Sequence, residues 1–153
     1  MPDFAAEKEI SADTIEQIYR IAKDYTRDYF TDTFPDELRI DMGLQRAVFL
    51  REGAEIVSCI VFTCLDGSAH ITMMATKRSH AGAGLGTLLM RRFEEHVSQL
   101  GLHSIELYTF SPRSKSAYAS TVGFYQKAGF SVIKEHAGLW EPGTVTLKMR
   151  KSW

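Results

Sequence analysis

The chain has few cysteines and almost no net charge, and each shortage argues against a kind of site or partner. It has only two cysteines and four prolines in 153 residues, and its formal net charge is −1. Cys59 and Cys64 lie an odd number of positions apart in one apolar run, so on a strand they would point to opposite faces. We therefore expect neither a disulfide nor a metal site. The near-neutral charge predicts no general affinity for nucleic acid or for an anionic membrane surface.

Long apolar stretches are also missing. No run approaches the ~20 residues of a membrane span. The first ten residues, MPDFAAEKEI, are too polar and acidic for a secretory signal peptide. We therefore expect a cytoplasmic protein with reduced thiols and no membrane partner. The length and the ordinary composition predict a single domain, residues 1–153, and no internal repeat is visible.

Hydrophobic periodicity predicts an α+β chain. The expected order is two helices, three antiparallel strands, a helix, a strand, a helix and two closing strands. Ser11 should cap the first helix, and Gly53 and Gly67 should turn the strands. Only one strand–helix–strand unit stands out, HITMMAT followed by a helix and SIELYTF. This pattern favours a mixed, mostly antiparallel sheet flanked by about four helices over a doubly wound sheet.

The stretch SHAGAGLGTLLM places three glycines between a predicted strand and a predicted helix. First-turn amides of a helix have no partner inside it, and the macrodipole adds partial positive charge there, so a helix start is an anion site. Phosphate oxygens approach the backbone most closely where no Cβ stands in the way. A plain tight turn into the helix is the alternative. The stretch predicts a diphosphate cradle made by the amides of Gly82, Ala83, Gly84, Leu85, Gly86 and Thr87.

Two common phosphate loops do not fit this stretch. A Walker loop needs a lysine directly after its last glycine, and Thr87 stands there instead. A dinucleotide fingerprint would place its third glycine at Thr87, although Glu106 lies about where its ribose-binding acid belongs. The first half of the chain supplies a hairpin and no repeated strand–helix–strand units, which argues against a dinucleotide-binding fold.

Two motifs resemble the GNAT superfamily of N-acetyltransferases. That family holds the pyrophosphate of acetyl-coenzyme A with a Gln/Arg-x-x-Gly-x-Gly/Ala signature, and Ala81-x-x-Gly84-x-Gly86 occupies this position here. The segment GFYQKAGF resembles the family's F-Y-x-K-x-G-F segment in the helix after the fifth strand. The element order matches across nearly the whole chain. Ala81 replaces the usual Gln or Arg, and Tyr118 replaces an asparagine that often precedes the motif tyrosine.

The resemblance implies a function and a set of roles. The protein would move the acetyl group of acetyl-coenzyme A to a primary amine by direct attack in a ternary complex, without a metal. The pantetheine arm would meet the strand segment Met74, Ala75 and Thr76, exposed by a splay in the sheet, with the Thr76 amide polarising the thioester carbonyl. Tyr125 would be the general acid, since a phenol is protonated at pH 7.

The base is less sharply implied. Glu106 stands where some family members carry theirs, whereas His70 has a reference pKa of ~6.5 that suits proton abstraction near neutrality. Deprotonation through water is a third alternative. Four cations could meet the adenosine 3′-phosphate, and they are Lys77, Arg78, Arg113 and Lys115.

The acceptor site is implied only by region. The family forms it from the first two helices and their connection, here YTRDYFTDTFPDELRIDMG. Aromatic walls, acids that attract a cationic amine and a bordering hairpin are candidates there, and they are Tyr29, Phe30, Phe34, Asp32, Asp36, Asp41, Trp140 and Glu141. A non-catalytic acyl-coenzyme A-binding module on the same fold is the alternative function. Another acyl donor and a homodimer, which is common in the family, stay open.

Overall fold

The computed structural model describes residues 1–26 and 29–153, and in these ranges it contains seven strands and four helices. The strands are β1 (Asp3–Glu7), β2 (Arg46–Glu52), β3 (Glu55–Leu65), β4 (Ser68–Thr76), β5 (Ser104–Phe110), β6 (Ser131–Ala137) and β7 (Val145–Ser152). The helices are α1 (Ala12–Lys23), α2 (Phe34–Asp41), α3 (Leu85–Gln99) and α4 (Ala119–Lys127). Short 3-10 turns occupy Met42–Leu44, Arg78–His80 and Ser116–Tyr118.

The strands form one sheet in the order β1-β2-β3-β4-β5-β7-β6. β4 and β5 are parallel and are connected through α3, whereas β1–β2, β2–β3, β5–β7 and β6–β7 pair antiparallel. This confirms the predicted α+β class with a mixed, mostly antiparallel sheet. The chain divides into two compact units, Met1–Thr63 with Thr72–His96 and Cys64–Ile71 with Val97–Trp153. That the chain is a single domain stays a prediction.

The first unit contains α1, α2 and most of α3 on β1, β2, β3 and the end of β4. Ser11 caps α1 as predicted, because its hydroxyl accepts a hydrogen bond from the Thr14 amide at 3.3 Å. Helices α1 and α2 bury their apolar stripes against one sheet face, which carries Val61. On the next residue, Phe62 points to the other face and meets Phe93 of α3 at 4.8 Å between ring centres. The core cluster is Ile18, Ile21, Ala22, Leu38, Met42, Ala47, Phe49, Ile56, Cys59, Val61, Met73 and Ala75.

The second unit contains β5, β6, β7 and α4. Leu107 lies opposite Met149 in the β5–β7 register, and both side chains are buried. Tyr125 of α4 is buried as well, and its ring contacts Phe130 at 5.6 Å between centres. Lys151 of β7 donates a hydrogen bond to the carbonyl of residue 128 at 2.6 Å, which ties the end of α4 to the strand.

Strand β1 corrects the predicted element order, which began with a helix. Residues Asp3–Glu7 pair with β2, with Asp3 opposite Arg51 and Glu7 opposite Ala47. The segment DFAAE is short and lacks β-branched residues, so its own sequence gives almost no strand signal. Pairing with a neighbouring strand stabilises it, and only the fold provides that neighbour.

The cysteines confirm the absence of a disulfide. Cys59 is fully buried in the core of the first unit, whereas Cys64 is exposed, and both are free. Burial raises the pKa of the Cys59 thiol to about 12.

Candidate active site

The glycine loop joins the Arg78–His80 turn to the start of α3 at Leu85. Ala81 is extended, with φ −64° and ψ 146°, and then Gly82 and Gly84 adopt φ of 79° and 78°. These left-handed conformations are strained for any residue with a Cβ. Residues 81 to 84 are exposed. The two glycines therefore turn the exposed chain into the helix with its first-turn amides presented to solvent.

The amides of this loop have no partner in the described part of the chain. The first hydrogen bond of the helix runs from the Leu88 amide to the Gly84 carbonyl at 3.1 Å. Among the described residues, no hydrogen bond is donated by any of the six amides from Gly82 to Thr87. Unpaired amides at a helix start are suited to bind a phosphate. The predicted cradle residues are thus together and available.

The stem of the loop is fixed on several sides. The Lys77 amide donates to the Val57 carbonyl at 2.8 Å, and the Lys77 ammonium pairs with Glu55. His80 Nε2 lies 2.7 Å from Glu52 Oε1. The residues that precede the loop are therefore fixed to the β2–β3 hairpin through Lys77 and His80.

Met74, Ala75 and Thr76 lie beyond the part of β4 that pairs with β5. In the described residues, the parallel register of β4 with β5 covers only Ala69–Ile71. The Lys77 amide donates to the Val57 carbonyl, and the Thr76 and Ser58 hydroxyls are 2.9 Å apart. Along a strand, the N–H and C=O of one residue point to the same side. The Thr76 carbonyl accepts a hydrogen bond from the Tyr25 hydroxyl, so we expect the Thr76 N–H to point to the side on which Tyr25 lies.

Tyr125, the predicted acid, lies in α4 with 8 % of its surface exposed. Its ring packs between Phe124 and Phe130, at 5.4 and 5.6 Å between ring centres. Burial, and secondarily the nearby Tyr118, raises the pKa of the Tyr125 phenol well above its usual range. No described residue accepts a hydrogen bond from its hydroxyl, and that oxygen is not among the polar atoms sealed from solvent. The phenol is thus a protonated donor with its proton uncommitted.

Glu106, the predicted base, is buried to 7 % exposure and lies among cations. Lys148 Nζ and His70 Nδ1 are 3.4 and 3.5 Å from its Oε2, and Arg150 Nη1 is 3.6 Å from its Oε1. The sheet register explains this cluster, because Glu106 stands opposite His70 in β4 and opposite Arg150 in β7. His70 Nε2 also lies 3.1 Å from the Leu65 carbonyl. Both nitrogens of His70 therefore have protein partners, and an ammonium substrate would compete with Lys148 and Arg150 for Glu106.

The four cations predicted to meet the 3′-phosphate all have protein partners. In the first unit, Lys77 pairs with Glu55, and Arg78 donates to the carbonyl of residue 24. In the second unit, Arg113 Nη2 lies 2.8 Å from Glu135 Oε1, and Lys115 Nζ lies 3.1 Å from Glu141 Oε1. A phosphate role for any of them stays a prediction.

The acceptor region is only partly described, because Arg27 and Asp28 lie outside the described residues. Phe30 and Phe34 are 4.5 Å apart between ring centres, and both pack against the core cluster of the first unit. Asp36 accepts a hydrogen bond from Tyr19 at 2.9 Å. Phe30 and Phe34 therefore pack against the core of the first unit. Their role as walls of an acceptor pocket stays a prediction.

The bordering hairpin carries an aromatic cluster that the sequence did not reveal. Trp140 lies against Phe110 at 4.9 Å and 79°, and Phe110 also contacts Tyr118 at 5.4 Å. Lys115 Nζ lies 4.3 Å from the Phe110 ring centre. The only local signal for this cluster is the exposed tryptophan beside a turn, because Phe110 and Tyr118 come from the end of β5 and the turn before α4.

Two negative findings apply to residues 1–26 and 29–153. No group of three or more His, Cys, Asp and Glu side chains is placed to hold a metal ion there. None of the helices in those ranges combines the length and the apolar character needed to cross a bilayer.

Comparison with solved structures shows which fold this is. A protein from Desulfovibrio desulfuricans assigned to the GNAT acetyltransferases superposes with a TM-score of 0.83 at 18 % identity, over 98 % of this chain and 99 % of its own. An aminoglycoside 6′-N-acetyltransferase complexed with coenzyme A gives 0.78 at 14 % identity, over 98 % and 96 %. The ribosomal-protein-S18-alanine N-acetyltransferase of Escherichia coli gives 0.77 at 12 % identity, over 99 % and 94 %. These likenesses define the class as proteins with the GNAT acetyltransferase fold.

The sequence itself gives the family. The profile of the acetyltransferase (GNAT) family matches residues 15–130, most of the chain. The chain therefore belongs to the GNAT acetyltransferase family. No curated protein matches it by sequence.

Proposed function

We propose that the protein is an N-acetyltransferase that moves the acetyl group of acetyl-coenzyme A to a primary amine by direct attack in a ternary complex. The observation that carries this proposal is the run of six amides from Gly82 to Thr87, at the start of α3, that donate no hydrogen bond to any described residue. Such a run fits a diphosphate, the group that coenzyme A presents. A similar fold binds coenzyme A in the aminoglycoside 6′-N-acetyltransferase complex.

The reaction needs little covalent chemistry from the protein. The amine nitrogen forms a bond to the thioester carbon, the carbonyl becomes an oxyanion, and the carbon–sulfur bond then breaks to release the thiolate. The Thr76 amide would stabilise the oxyanion. Tyr125 would hydrogen-bond the leaving thiolate and supply its proton. Because burial raises the pKa of Tyr125, the phenol keeps that proton throughout the neutral range.

Glu106 stays the proposed base, and the cations around it define what that role requires. An ammonium would have to displace Lys148 or Arg150 from the carboxylate, or deprotonation would run through water to the same oxygens. The same crowding favours the alternative function, a non-catalytic acyl-coenzyme A-binding module, because it occupies the carboxylate that catalysis would use.

Calorimetric titration followed by a turnover assay separates these functions. Purified protein is titrated with acetyl-coenzyme A, coenzyme A and NAD, and thiol release is then measured with a panel of primary amines. If the protein binds acetyl-coenzyme A and not NAD, and if one of the amines causes thiol release, the protein is an enzyme. Tyr125→Phe should keep coenzyme binding and lose about 100-fold in turnover, the usual size of a general-acid contribution. Binding with no turnover across the panel would favour the binding module.

A further inference from the structure

Tyr25 makes contacts at the end of β4 for which neither the family motifs nor the roles above account. It follows α1 in the first unit, and its hydroxyl donates a hydrogen bond to the Thr76 carbonyl. The guanidinium of Arg78 lies over the Tyr25 ring, 4.4 Å from its centre. Arg78 also donates from Nε and Nη2 to the carbonyl of Asp24, at 3.0 and 2.7 Å. Arg78 therefore holds the tyrosine and the backbone before it in one place.

The atom that Tyr25 contacts belongs to the residue whose amide faces the thioester in the proposed reaction. Along a strand, the N–H and C=O of one residue point to the same side. An oxygen that accepts a hydrogen bond from the Thr76 N–H must therefore lie beside the Thr76 carbonyl oxygen. An unpaired carbonyl there would repel that oxygen, and the repulsion would grow as the oxygen becomes an oxyanion.

We infer that Tyr25, held by Arg78, is a positioning residue for the Thr76 amide. Its hydroxyl occupies the lone pair of the Thr76 carbonyl and fixes the direction of the strand end. Both effects favour the oxyanion more than the bound thioester, so Tyr25 acts on kcat and little on coenzyme affinity. The inference rests on the proposed function.

The same helix provides a matched control. Tyr19 of α1 donates a hydrogen bond from its hydroxyl to Asp36 Oδ1 at 2.9 Å. Arg39 covers its ring at 3.6 Å from the centre. Tyr19 thus repeats the arrangement of Tyr25, a covered ring and a donating hydroxyl, but its acceptor is a side-chain carboxylate and no strand backbone. Tyr19→Phe removes one such bond without touching β4.

The test is the infrared stretch of an isotope-labelled acetyl carbonyl in acetyl-coenzyme A, free and bound to wild type, Tyr25→Phe and Tyr19→Phe. Bound to wild type and to Tyr19→Phe, the carbonyl should absorb at lower frequency than in free acetyl-coenzyme A, because a hydrogen bond polarises it. In Tyr25→Phe most of that shift should disappear. With an amine that wild type acetylates, kcat should fall about three- to tenfold, the effect of one hydrogen bond, while the coenzyme dissociation constant stays within about twofold. Arg78→Lys, which loses the planar fork over the ring, should reproduce part of the loss.

The outcomes distinguish failure of the proposed function from failure of the role inferred for Tyr25. Failure of wild type to bind acetyl-coenzyme A refutes the proposed function, and the inference with it. Binding without a frequency shift refutes the role of the Thr76 amide. If the carbonyl frequency shift is as large in Tyr25→Phe as in Tyr19→Phe and wild type, the inference about Tyr25 is wrong and the proposed function stands. The inference is also wrong if Tyr25→Phe has a lower melting temperature and an unchanged kcat, because Tyr25 then has a structural role only.

Discussion

Replacing Gly84 by alanine adds one methyl group to the glycine loop, and the structure fixes most of its cost. Gly84 has φ +78°, and a Cβ built there meets no described atom within 4 Å. The protein therefore has room for the atom, and the stability cost is the left-handed backbone alone, about 1–2 kcal/mol. Each kcal/mol lowers the melting temperature of a domain of this size by about 2–4 °C. We expect Gly84→Ala to melt roughly 2–8 °C below wild type.

The effect on coenzyme binding should be larger than this strain suggests. The open space beside Gly84 is where a phosphate oxygen would approach the loop amides. A methyl group there keeps the phosphate from at least one of them, and a hydrogen bond to a charged group is worth about 1.5–3 kcal/mol. Acetyl-coenzyme A should therefore bind about 10- to 100-fold more weakly to Gly84→Ala.

Gly67→Ala is the matched control for this prediction. Gly67 has the same φ of +78°, and a Cβ there also meets no described atom within 4 Å, but it lies in the turn between β3 and β4. It should lose a similar amount of melting temperature and keep wild-type affinity in a calorimetric titration. Equal coenzyme affinity of the two variants would refute the phosphate role of the loop.

Three other outcomes follow from single side chains. Glu106→Gln should lower kcat about 100-fold with coenzyme affinity unchanged if the carboxylate is the base, and unaltered turnover would exclude that role. Because the pKa of Tyr125 is raised in the folded protein, above pH ~10 the unfolded chain loses the phenol proton while the folded chain keeps it. The free energy of unfolding should therefore fall with rising pH, by up to about 1.4 kcal/mol per pH unit. In denaturant titrations, Tyr125→Phe should show a shallower fall than wild type. A thiol reagent at pH 8 should modify Cys64 quickly and Cys59 only on unfolding, because burial raises the pKa of Cys59 to about 12; two rapid thiols in mass spectra of the folded protein would contradict that burial.

Local signals predicted most of the fold. The helix that Ser11 caps and the strand over residues 104–110 were set by short-range patterns of capping and periodicity, and the structure has them at the expected places. The turn at Asp66 and Gly67 has positive φ at both positions, as an Asp-Gly hairpin turn requires. Strand β1 was missed because its stability comes from pairing with Ala47 to Arg51, more than forty positions away.

In the candidate site, too, local features could be predicted from the sequence and long-range contacts could not. The glycine loop is continuous in sequence, so its geometry could be predicted from the residues alone. The partners of Glu106 could not, because Lys148 and Arg150 arrive from β7, the last strand of the chain. The role of Tyr25 could not be predicted either, because its bond to Thr76 spans 51 positions. Contacts of this kind are set by sheet register and helix packing, which no short pattern contains.

The most direct test of the phosphate cradle is an amide NMR titration of the wild-type protein with acetyl-coenzyme A. We expect the six amides from Gly82 to Thr87 to show the largest shifts, moving downfield as charged acceptors reach them. Binding that shifts other amides and leaves these six unmoved, or no binding at all, would contradict this prediction.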